Sequence, residues 1–302
     1  MKRQPQGALH FADSRFAILT TVQPLVSVVV PVFNGLPHLR PLVDSLLAQT
    51  YPNLEFVFSE GGSTDRSLEY LTSLTDPRIR IIEQTRRTSA AENWTAASKA
   101  ATGEFTKLIC QDDLLYPYAI EQQVTDLVSQ PQAVMAIATR DIVDANGRTL
   151  SSNRGLRGIK GTLIDGASGI RQCYLQGTNV MGEPLAVLFR TEALRAALPW
   201  QDENPLMLDL CMYEKVAPEG QVCVQHEPIG AFRVSSSSWS TNLAREQVDQ
   251  TRKWQEAYAA KHWQSLSSSD RRRAALGRTV QTSLRRLAYT LLRARGRLTS
   301  PD

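Results

Sequence analysis

The stretch LVSVVVPVF, residues 25–33, is an almost unbroken apolar run that is rich in valine. β-Branched residues favour strands, and a strand without an alternating polar face is typical of a parallel sheet covered on both sides. The segment that follows carries apolar residues at helical spacing, namely Leu39, Leu42, Val43, Leu46 and Leu47. Together these segments predict a buried strand followed by a helix that packs on the sheet.

The same alternation of strand and helix continues along the chain. Strand-like runs occur at LEFVFS (54–59), RIRIIE (78–83) and FTKLIC (105–110). A helix is predicted after the second strand, and another begins at Ser89, which has capping-box spacing to Glu92. Such alternation implies right-handed crossovers, so the predicted fold class is α/β, with a doubly wound, mostly parallel sheet flanked by helices.

Unusual polar residues follow the predicted strands. Residues 31–34 come after the first strand, residues 60–65 after the second, and Asp112 with Asp113 after the fourth. Ligands of such sheets bind at the carboxyl ends of the strands. Adjacent carboxylates near a core repel each other and lose hydration, and a divalent metal that holds a phosphate would compensate them.

Each of these polar groups also has a purely structural interpretation. Ser63 or Asp65 is suited to cap the helix after the second strand. Asp112 or Asp113 is equally suited to cap a helix that begins near Tyr118. Both interpretations stay open at the level of sequence.

Charge is distributed unevenly along the chain. The formal net charge is +4, but residues 271–298 contain nine arginines and no acid, which leaves −5 for the rest. An acidic body disfavours a nucleic-acid-binding core, and a basic tail favours a polyanionic partner. Apolar residues of the tail recur at helical spacing, namely Leu276, Val280, Leu284, Leu287 and Leu291. We interpret residues 271–298 either as an amphipathic helix on an anionic membrane surface or as a helix docked on protein.

Cysteine usage and hydropathy indicate a cytoplasmic protein. The cysteines Cys110, Cys173, Cys211 and Cys223 are far apart and lack the spacing of a zinc site, which favours reduced thiols. The apolar run at 16–19 is too short for a signal peptide, and no run approaches the roughly 20 apolar residues of a membrane span. We therefore expect a cytoplasmic location, with the tail as a candidate contact with the inner face of the plasma membrane.

Four motifs, VSVVVPVFNG, LEFVFSEGGSTDRS, SAAENW and GEFTKLICQDDLLYP, resemble in order and spacing the inverting nucleotide-sugar glycosyltransferases of family 2, which have the GT-A fold. The resemblance covers residues 25–130 closely and continues more loosely to residue 243. Neither a Walker loop nor a dinucleotide fingerprint is present. The Gly-rich, Arg-bearing loop of sugar-phosphate nucleotidyltransferases is also missing after the first strand.

The resemblance implies an enzyme of the hexosyltransferase type. Its donor would be a nucleotide-sugar, with a UDP-sugar favoured, and its acceptor a glycan or a lipid-linked glycan, as in cell-surface polysaccharide biosynthesis. Mg²⁺ or Mn²⁺ would assist a direct displacement. The alternative from another class is a non-catalytic nucleotide- or glycan-binding relative that is anchored by its basic tail.

The resemblance also implies a donor site. Glu60 falls where relatives place the acid that recognises the base, Asp113 matches the carboxylate that meets the metal, and Asp112 lies nearer the ribose. Arg233 would contact the diphosphate. The remaining donor-site residues are Pro31, Val32, Phe33, Asn34 and Gly62.

Three residues depart from the family pattern. Gln111 replaces an acid, Ser235 stands where some relatives carry a metal-binding histidine, and Glu92 stands where many carry an arginine. Arg86 or Arg87 would have to replace that arginine, unless both are solvated loop charges. We therefore expect a metal with few protein ligands, which the donor diphosphate helps to hold.

The resemblance places the acceptor site in the second half of the chain. Asp209 matches the late aspartate that serves as general base, and its apolar neighbours would raise its pKa. Its local competitors are Asp202, Glu203 and Glu214. Glu183 and Trp239 are candidates for the acceptor or sugar pocket, although packing explains Trp239 equally well.

The predicted organisation has three parts. Residues 1–24 form an N-terminal extension, and residues 25–243 form the GT-A domain. That domain divides into a nucleotide-binding half, 25–130, and an acceptor-binding half, 131–243. A helical extension with the basic tail follows at 244–302. Residues 151–166, rich in Ser, Gly and Arg, are predicted to form a loop over the site.

Overall fold

A computed structural model describes residues 23–201, 203–236 and 246–299. The strands are β1 (Val26–Val32), β2 (Leu54–Glu60), β3 (Ile79–Glu83), β4 (Phe105–Leu108), β5 (Leu114–Leu115), β6 (Ala133–Val143), β7 (Thr149–Arg154), β8 (Leu163–Asp165), β9 (Val187–Arg190) and β10 (Gln221–Arg233). The helices are α1 (Leu39–Leu47), α2 (Ser67–Thr72), α3 (Ala90–Lys99), α4 (Ala119–Ser129), α5 (Gly166–Gln176), α6 (Thr191–Ala197), α7 (Leu208–Val216), α8 (Gln247–Lys261) and α9 (Ser268–Ala294). The predicted α/β class is confirmed.

The strands form one mixed sheet in the order β3-β2-β1-β4-β9-β6-β10-β5, with β7 beside β6 and β8 beside β10. The first four strands of this order are parallel, as the sequence predicts, and β6 and β10 are also parallel to each other. Between these two parallel groups lies β9, antiparallel to both of its neighbours. The carboxyl ends of β1, β2 and β4 therefore open on one edge of the sheet.

Helices cover both faces of the sheet, which explains the unbroken apolar run of β1. Val26, Val28, Val30 and Val32 pack in the cluster on one face, with α1 and α4. Val29 packs in the cluster on the other face. Every residue of β1 is buried, and its one polar side chain, Ser27, accepts a hydrogen bond from Gly103 N at 2.8 Å.

The C-terminal helices pack on the second half of the sheet. Trp254 and Tyr258 of α8 and Ala274 of α9 belong to the same buried cluster as Val29. Helix α9 approaches α5 so closely that a Cβ atom at Gly277 would lie 2.7 Å from the carbonyl oxygen of Leu175. The helical extension thus contributes to the core, and its boundary at residue 244 stays a prediction.

Two further predictions concern segments outside these helices. The predicted loop at 151–166 contains part of β7 and all of β8, so that prediction is wrong for those residues. Of the predicted N-terminal extension, only residues 23 and 24 are described. None of the helices in the described ranges is long and apolar enough to cross a membrane.

Candidate active site

A cleft of 1730 Å³ opens at the carboxyl ends of β1 and β4. One wall comes from the strand ends and the start of α3, and a second from the segment 178–184 with the start of α7. The C-terminal half of α9 closes a further side. Segments distant in sequence thus meet at the edge where ligands of α/β sheets bind.

The end of β1 is held to the end of β4 by Gln111. The side-chain amide of Gln111 accepts a hydrogen bond from Phe33 N at 2.8 Å and donates one to Phe33 O at 2.8 Å. Gln111, the neutral residue in the acid motif, therefore positions the strand end. Pro31, Phe33 and Asn34 border the cleft.

Val32, the remaining predicted donor-site residue of β1, lies in the core with no exposed area. Its carbonyl oxygen accepts from Gly61 N at 2.8 Å and from Asn93 Nδ2 at 3.1 Å. Only its backbone takes part in shaping this edge of the sheet.

The loop after β2 is held by the carboxylate of Glu60. Its two oxygens accept hydrogen bonds from Gly62 N at 3.0 Å and from Ser63 N at 2.7 Å, and the residue is 2% exposed. Gly62 has a φ of 82°, and a Cβ atom there would lie 2.9 Å from Arg87 Cα. The loop therefore requires glycine, and Glu60 contacts its own turn.

Of the two residues predicted as possible caps of α2, Asp65 contacts the start of that helix, whereas Ser63 contacts the loop after β1 instead. Asp65 Oδ1 accepts from Ser67 N at 2.9 Å, at the first residue of α2. Ser63 Oγ accepts from Asn34 N at 2.9 Å, and Asn34 Oδ1 accepts from Thr64 N at 2.8 Å. These side chains tie the loop after β2 to the loop after β1.

The adjacent carboxylates Asp112 and Asp113 have different surroundings. Asp112 is half-buried and borders the cleft, whereas Asp113 has no exposed area. Asp113 Oδ1 accepts from Arg233 N at 3.0 Å, and Oδ2 has no hydrogen-bond partner among the described residues. Burial, strengthened by the charge of Asp112, raises the pKa of Asp113 well above its usual value. Neither residue caps α4, since Tyr118 precedes that helix.

The guanidinium of Arg233 joins loops together. Arg233 is 4% exposed, and its Nε donates to Asp112 O at 2.8 Å while Nη1 donates to Ala145 O at 3.1 Å. Its chain neighbours Phe232 and Val234 border the cleft. Arg233, predicted to contact a diphosphate, is thus placed between the loop after β4 and the loop after β6. Ser235 is buried beside it.

The start of α3 explains the unusual Glu92. Ser89 and Glu92 form the predicted capping box, and Glu92 also pairs with Arg86 at 2.6 Å. The Cζ atom of Arg87 lies 4.8 Å from the ring centre of Phe33, and Arg87 borders the cleft. Of the two arginines that could face a donor, Arg87 is the one at the cleft.

Asp209 lies in the first turn of α7, half-buried at the border of the cleft. Its Oδ2 accepts a hydrogen bond from Asn179 Nδ2 at 2.8 Å. Burial and the negative charge of Glu183 raise the pKa of Asp209 to about 6. A carboxylate that titrates near neutrality can accept a proton in the cleft.

Glu183 is paired with Arg140 beside Asp209. Arg140 Nη2 donates to Glu183 Oε1 at 2.6 Å, and Nη1 donates to Arg154 O at 2.9 Å. Both side chains of this ion pair border the cleft, and Arg140 is only 7% exposed. The pair brings β6, the end of β7 and the turn before β9 to one point.

Sequence reasoning missed Asn179, Arg140 and His38 at the cleft. Arg140 had a usable signal, because it is the one cation in the mostly apolar run AVMAIATRDIV. Asn179, between Gly177 and Gly182, suggested only a turn. His38 borders the cleft, and burial together with the nearby charge of Arg233 lowers its pKa to about 4.

The other candidates lie away from the base position or outside the described structure. Glu203 is exposed, and Glu214 accepts from Trp254 Nε1 at 2.8 Å and pairs with Lys261. Asp202 and Trp239 lie outside the described residues.

The donor set for a metal is small. Within residues 23–201, 203–236 and 246–299, no group of three or more His, Cys, Asp and Glu side chains could hold an ion. Asp112 is the carboxylate of the acid pair that borders the cleft. Mg²⁺ commonly binds one or two carboxylates together with substrate phosphates and water. The single carboxylate of Asp112 at the cleft fits a metal of that kind.

The family model for glycosyl transferase family 2 matches residues 27–196. An uncharacterized glycosyltransferase of Rickettsia typhi is 36% identical over 107 residues, which cover 35% of this chain and 33% of that protein. Glycosyltransferase GlyG of Streptococcus pneumoniae is 35% identical over 107 residues, 34% of this chain and 36% of that protein. The match thus spans about a third of the length of these relatives.

Two solved structures share the fold. S. aureus TarS in complex with UDP-GlcNAc has a TM-score of 0.58 at 17% identity, over 75% of this chain and 66% of that one. Mannosyltransferase PcManGT from Pyrobaculum calidifontis, in complex with GDP-Man and Mn²⁺, has a TM-score of 0.54 at 16% identity, over 90% of this chain and 81% of that one. At these identities the likeness concerns the fold.

Proposed function

Because the chain belongs to glycosyltransferase family 2, we propose that it is an inverting enzyme that transfers a sugar from a nucleotide-sugar to a glycan or lipid-linked acceptor. The observation that carries the proposal is the single cleft bordered by Asp112 after β4 and by Asp209 on α7. One carboxylate is suited to the donor diphosphate and its metal, and the other to the acceptor hydroxyl.

On the donor side, Asp112 would hold the metal. A carboxylate with no exposed area, as at Asp113, cannot reach an ion in the cleft without rearrangement of the Arg233 N contact. Asp113 would position the loop after β4 instead. Mg²⁺ or Mn²⁺, when bound, would offset the negative charge of the departing diphosphate. This assignment reverses the roles that the resemblance implied for the two residues.

The preference for a UDP-sugar stays a prediction. It rests on Glu60 as an acceptor for the base, and both oxygens of Glu60 already accept backbone N–H groups of its own turn. The solved relatives were bound to donors of two kinds, UDP-GlcNAc and GDP-Man. A donor screen therefore has to include both nucleotides. Pro31, Phe33, Asn34 and Arg87 border the space that the nucleotide would fill.

On the acceptor side, Asp209 would act as general base. Its carboxylate takes the proton of the acceptor hydroxyl as that oxygen attacks the anomeric carbon from the face opposite the diphosphate. The bond from the anomeric carbon to the diphosphate oxygen breaks, and its electron pair leaves with the diphosphate. Asn179 holds the Asp209 carboxylate, and the Glu183–Arg140 pair borders the acceptor space.

A donor screen with purified protein tests the proposal. The full chain is incubated with Mg²⁺ or Mn²⁺ and with UDP-, GDP- and dTDP-sugars, and binding and slow hydrolysis of the donor are measured. We expect binding that depends on metal and hydrolysis of one nucleotide class. A protein that binds no donor would refute the proposal. A protein that binds a donor but never hydrolyses or transfers it would be the non-catalytic relative.

A further inference from the structure

Helix α9 is held against the protein on one face and at both ends. Two residues of the helix, Ala274 and Thr282, are buried against the protein, with 2% and 5% exposure. In the first turn of the helix, an oxygen of the Asp270 carboxylate lies 2.9 Å from a guanidinium nitrogen of Arg171. After the helix ends, Arg297 pairs with Asp144 at 2.8 Å. The position of α9 along the cleft is therefore set by contacts at several points.

The opposite face of α9 is apolar and exposed. The exposed fractions of its large apolar side chains are Leu276 65%, Val280 41%, Leu284 55%, Leu287 58% and Leu291 47%. Spacings of four, four, three and four residues place them in one stripe along the helix. A contiguous exposed apolar stripe is typical of a binding surface.

The charge around the stripe favours an anionic partner. Residues 271–298 carry nine arginines and no acid, and Arg272, Arg286 and Arg293 are exposed on α9. A second copy that paired through the same helix would bring the two basic segments together, which their repulsion opposes. An apolar stripe beside arginines matches a helix that lies in the interface of an anionic bilayer.

The stripe continues into the cleft. Leu284 and Leu291 belong to the exposed stripe and also border the cleft, as do Arg285 and Arg295. A surface that covers the stripe would therefore meet the mouth of the proposed active site. An acceptor that enters from this side would leave the same surface.

We propose that α9 seats the protein on an anionic lipid surface and that the acceptor is borne on a lipid in that surface. The second part rests on the proposed transfer function, because it names the acceptor class of the same site. The stripe supplies apolar contact, and the arginines select anionic headgroups.

Vesicle sedimentation of the full chain tests the membrane contact. The probes are phosphatidylcholine vesicles with and without phosphatidylglycerol. The test variant is the triple substitution Leu276→Gln, Val280→Gln and Leu287→Gln, since these positions do not border the cleft. The matched control is Val128→Gln on α4, where the side chain is 52% exposed.

We expect the wild-type chain and the control to pellet only with anionic vesicles. The triple variant should bind at least about tenfold more weakly, because three apolar side chains are lost from the contact. The proposal would be overturned if the triple variant pelleted with anionic vesicles as strongly as the wild-type chain. It would also be overturned if the wild-type chain bound neutral and anionic vesicles equally. A wild-type dimer in solution that the triple variant abolishes would overturn it as well, since the stripe would then bind a second copy.

The acceptor class is tested with the donor that the screen identifies. Transfer to octyl glycosides embedded in anionic vesicles is compared with transfer to the same sugars as soluble methyl glycosides. We expect preference for the embedded acceptors, and loss of that preference in the triple variant. Equal use of both acceptors would overturn the lipid-borne acceptor. Donor hydrolysis without vesicles reports on the transfer function alone, so failure of either proposal is recognised separately.

Discussion

Two pairs of acidic side chains at the same edge of the sheet are held in different ways. Glu60, at the end of β2, and Asp113, in the loop after β4, accept hydrogen bonds from backbone N–H groups and are 2% and 0% exposed. Asp209 and Glu183 are held by the side chains of Asn179 and Arg140 and border the cleft.

The difference shows that an acid at the end of a strand does not by itself mark a ligand site. Backbone donors draw Glu60 and Asp113 into the loops that they shape, so these carboxylates contribute to the fold. Asp209 is only half-buried, so burial raises its pKa while the side chain still borders the cleft.

The largest effect is expected at Asp209. The substitution Asp209→Asn should lower the rate of transfer by roughly 10²- to 10⁴-fold, because the acceptor hydroxyl loses its base. The affinity for the donor should change little, since Asp209 lies on the acceptor side of the proposed active site. Steady-state kinetics and donor titration measure the two quantities. The exposed Glu203→Gln is the matched control, and loss of donor binding in Asp209→Asn would refute its role as base.

The second prediction compares the adjacent carboxylates. Asp112→Asn should lower the rate of metal-dependent donor hydrolysis by about 100-fold or more, because the proposed metal contact in the cleft is lost. Asp113→Asn should lower it by less than about tenfold, because an amide oxygen can still accept from Arg233 N. Metal titrations of donor hydrolysis measure both. The opposite ranking would restore Asp113 as the metal contact.

The third prediction concerns the loop after β2. Glu60→Ala removes the acceptor of two backbone N–H groups, so the free energy of unfolding should fall by about 1–3 kcal/mol. Glu203→Ala, at an exposed position, should change it by less than about 0.5 kcal/mol. Urea unfolding measures both. Unchanged stability of Glu60→Ala would show that Glu60 is available to a ligand.

The fourth prediction uses the pH dependence of stability. The pKa of Asp209 is raised from 3.8 to about 6, so over this range the folded protein retains a proton that the unfolded chain releases. The contribution of Asp209 to stability is therefore present below pH 3.8 and lost as pH rises through 6. Asp209→Asn cannot ionise and should have a higher Tm than wild type above pH 6, with the difference vanishing below about pH 4. An equal difference at every pH would contradict the raised pKa.

The smallest effect is expected at Asn179. The hydrogen bond from Asn179 lowers the pKa of Asp209, so Asn179→Ala should move the acidic limb of kcat/KM from about 6 to a higher pH. At pH well above that limb the rate should recover to within a few-fold of wild type. A purely structural defect would lower the rate equally at all pH values, which the pH profile would reveal.

The fold of residues 25–130 was predictable because its signals are local. Each signal is contained in a short segment of sequence. Examples are the valine run of β1, the capping box of Ser89 and Glu92, and the polar residues at strand ends. Periodicity reports burial directly, so the alternation of strands and helices indicated the parallel part of the sheet. The antiparallel β9 between two parallel groups carried no such signal.

The exposure and the hydrogen-bond partners of each carboxylate were not predictable. Adjacent residues such as Asp112 and Asp113 differ only in which way their side chains point, and the distant Arg233 N decides that. The contact of Asn179 with Asp209 joins residues 30 positions apart, and the Glu183–Arg140 pair joins residues 43 apart. Spacing in sequence does not encode such contacts.

The amino-acid sequence by itself determined the α/β class, the order of the first strands and helices, the resemblance to family 2 and the apolar stripe of the tail. These features follow from local hydrophobic periodicity and from motifs within short segments. Only the tertiary structure decided that Asp112 borders the cleft while Asp113 is buried, that Asn179 holds Asp209, and that α9 closes one side of the site. The physical reason is that exposure, hydrogen-bond partners and pKa depend on atoms brought together by packing of distant segments.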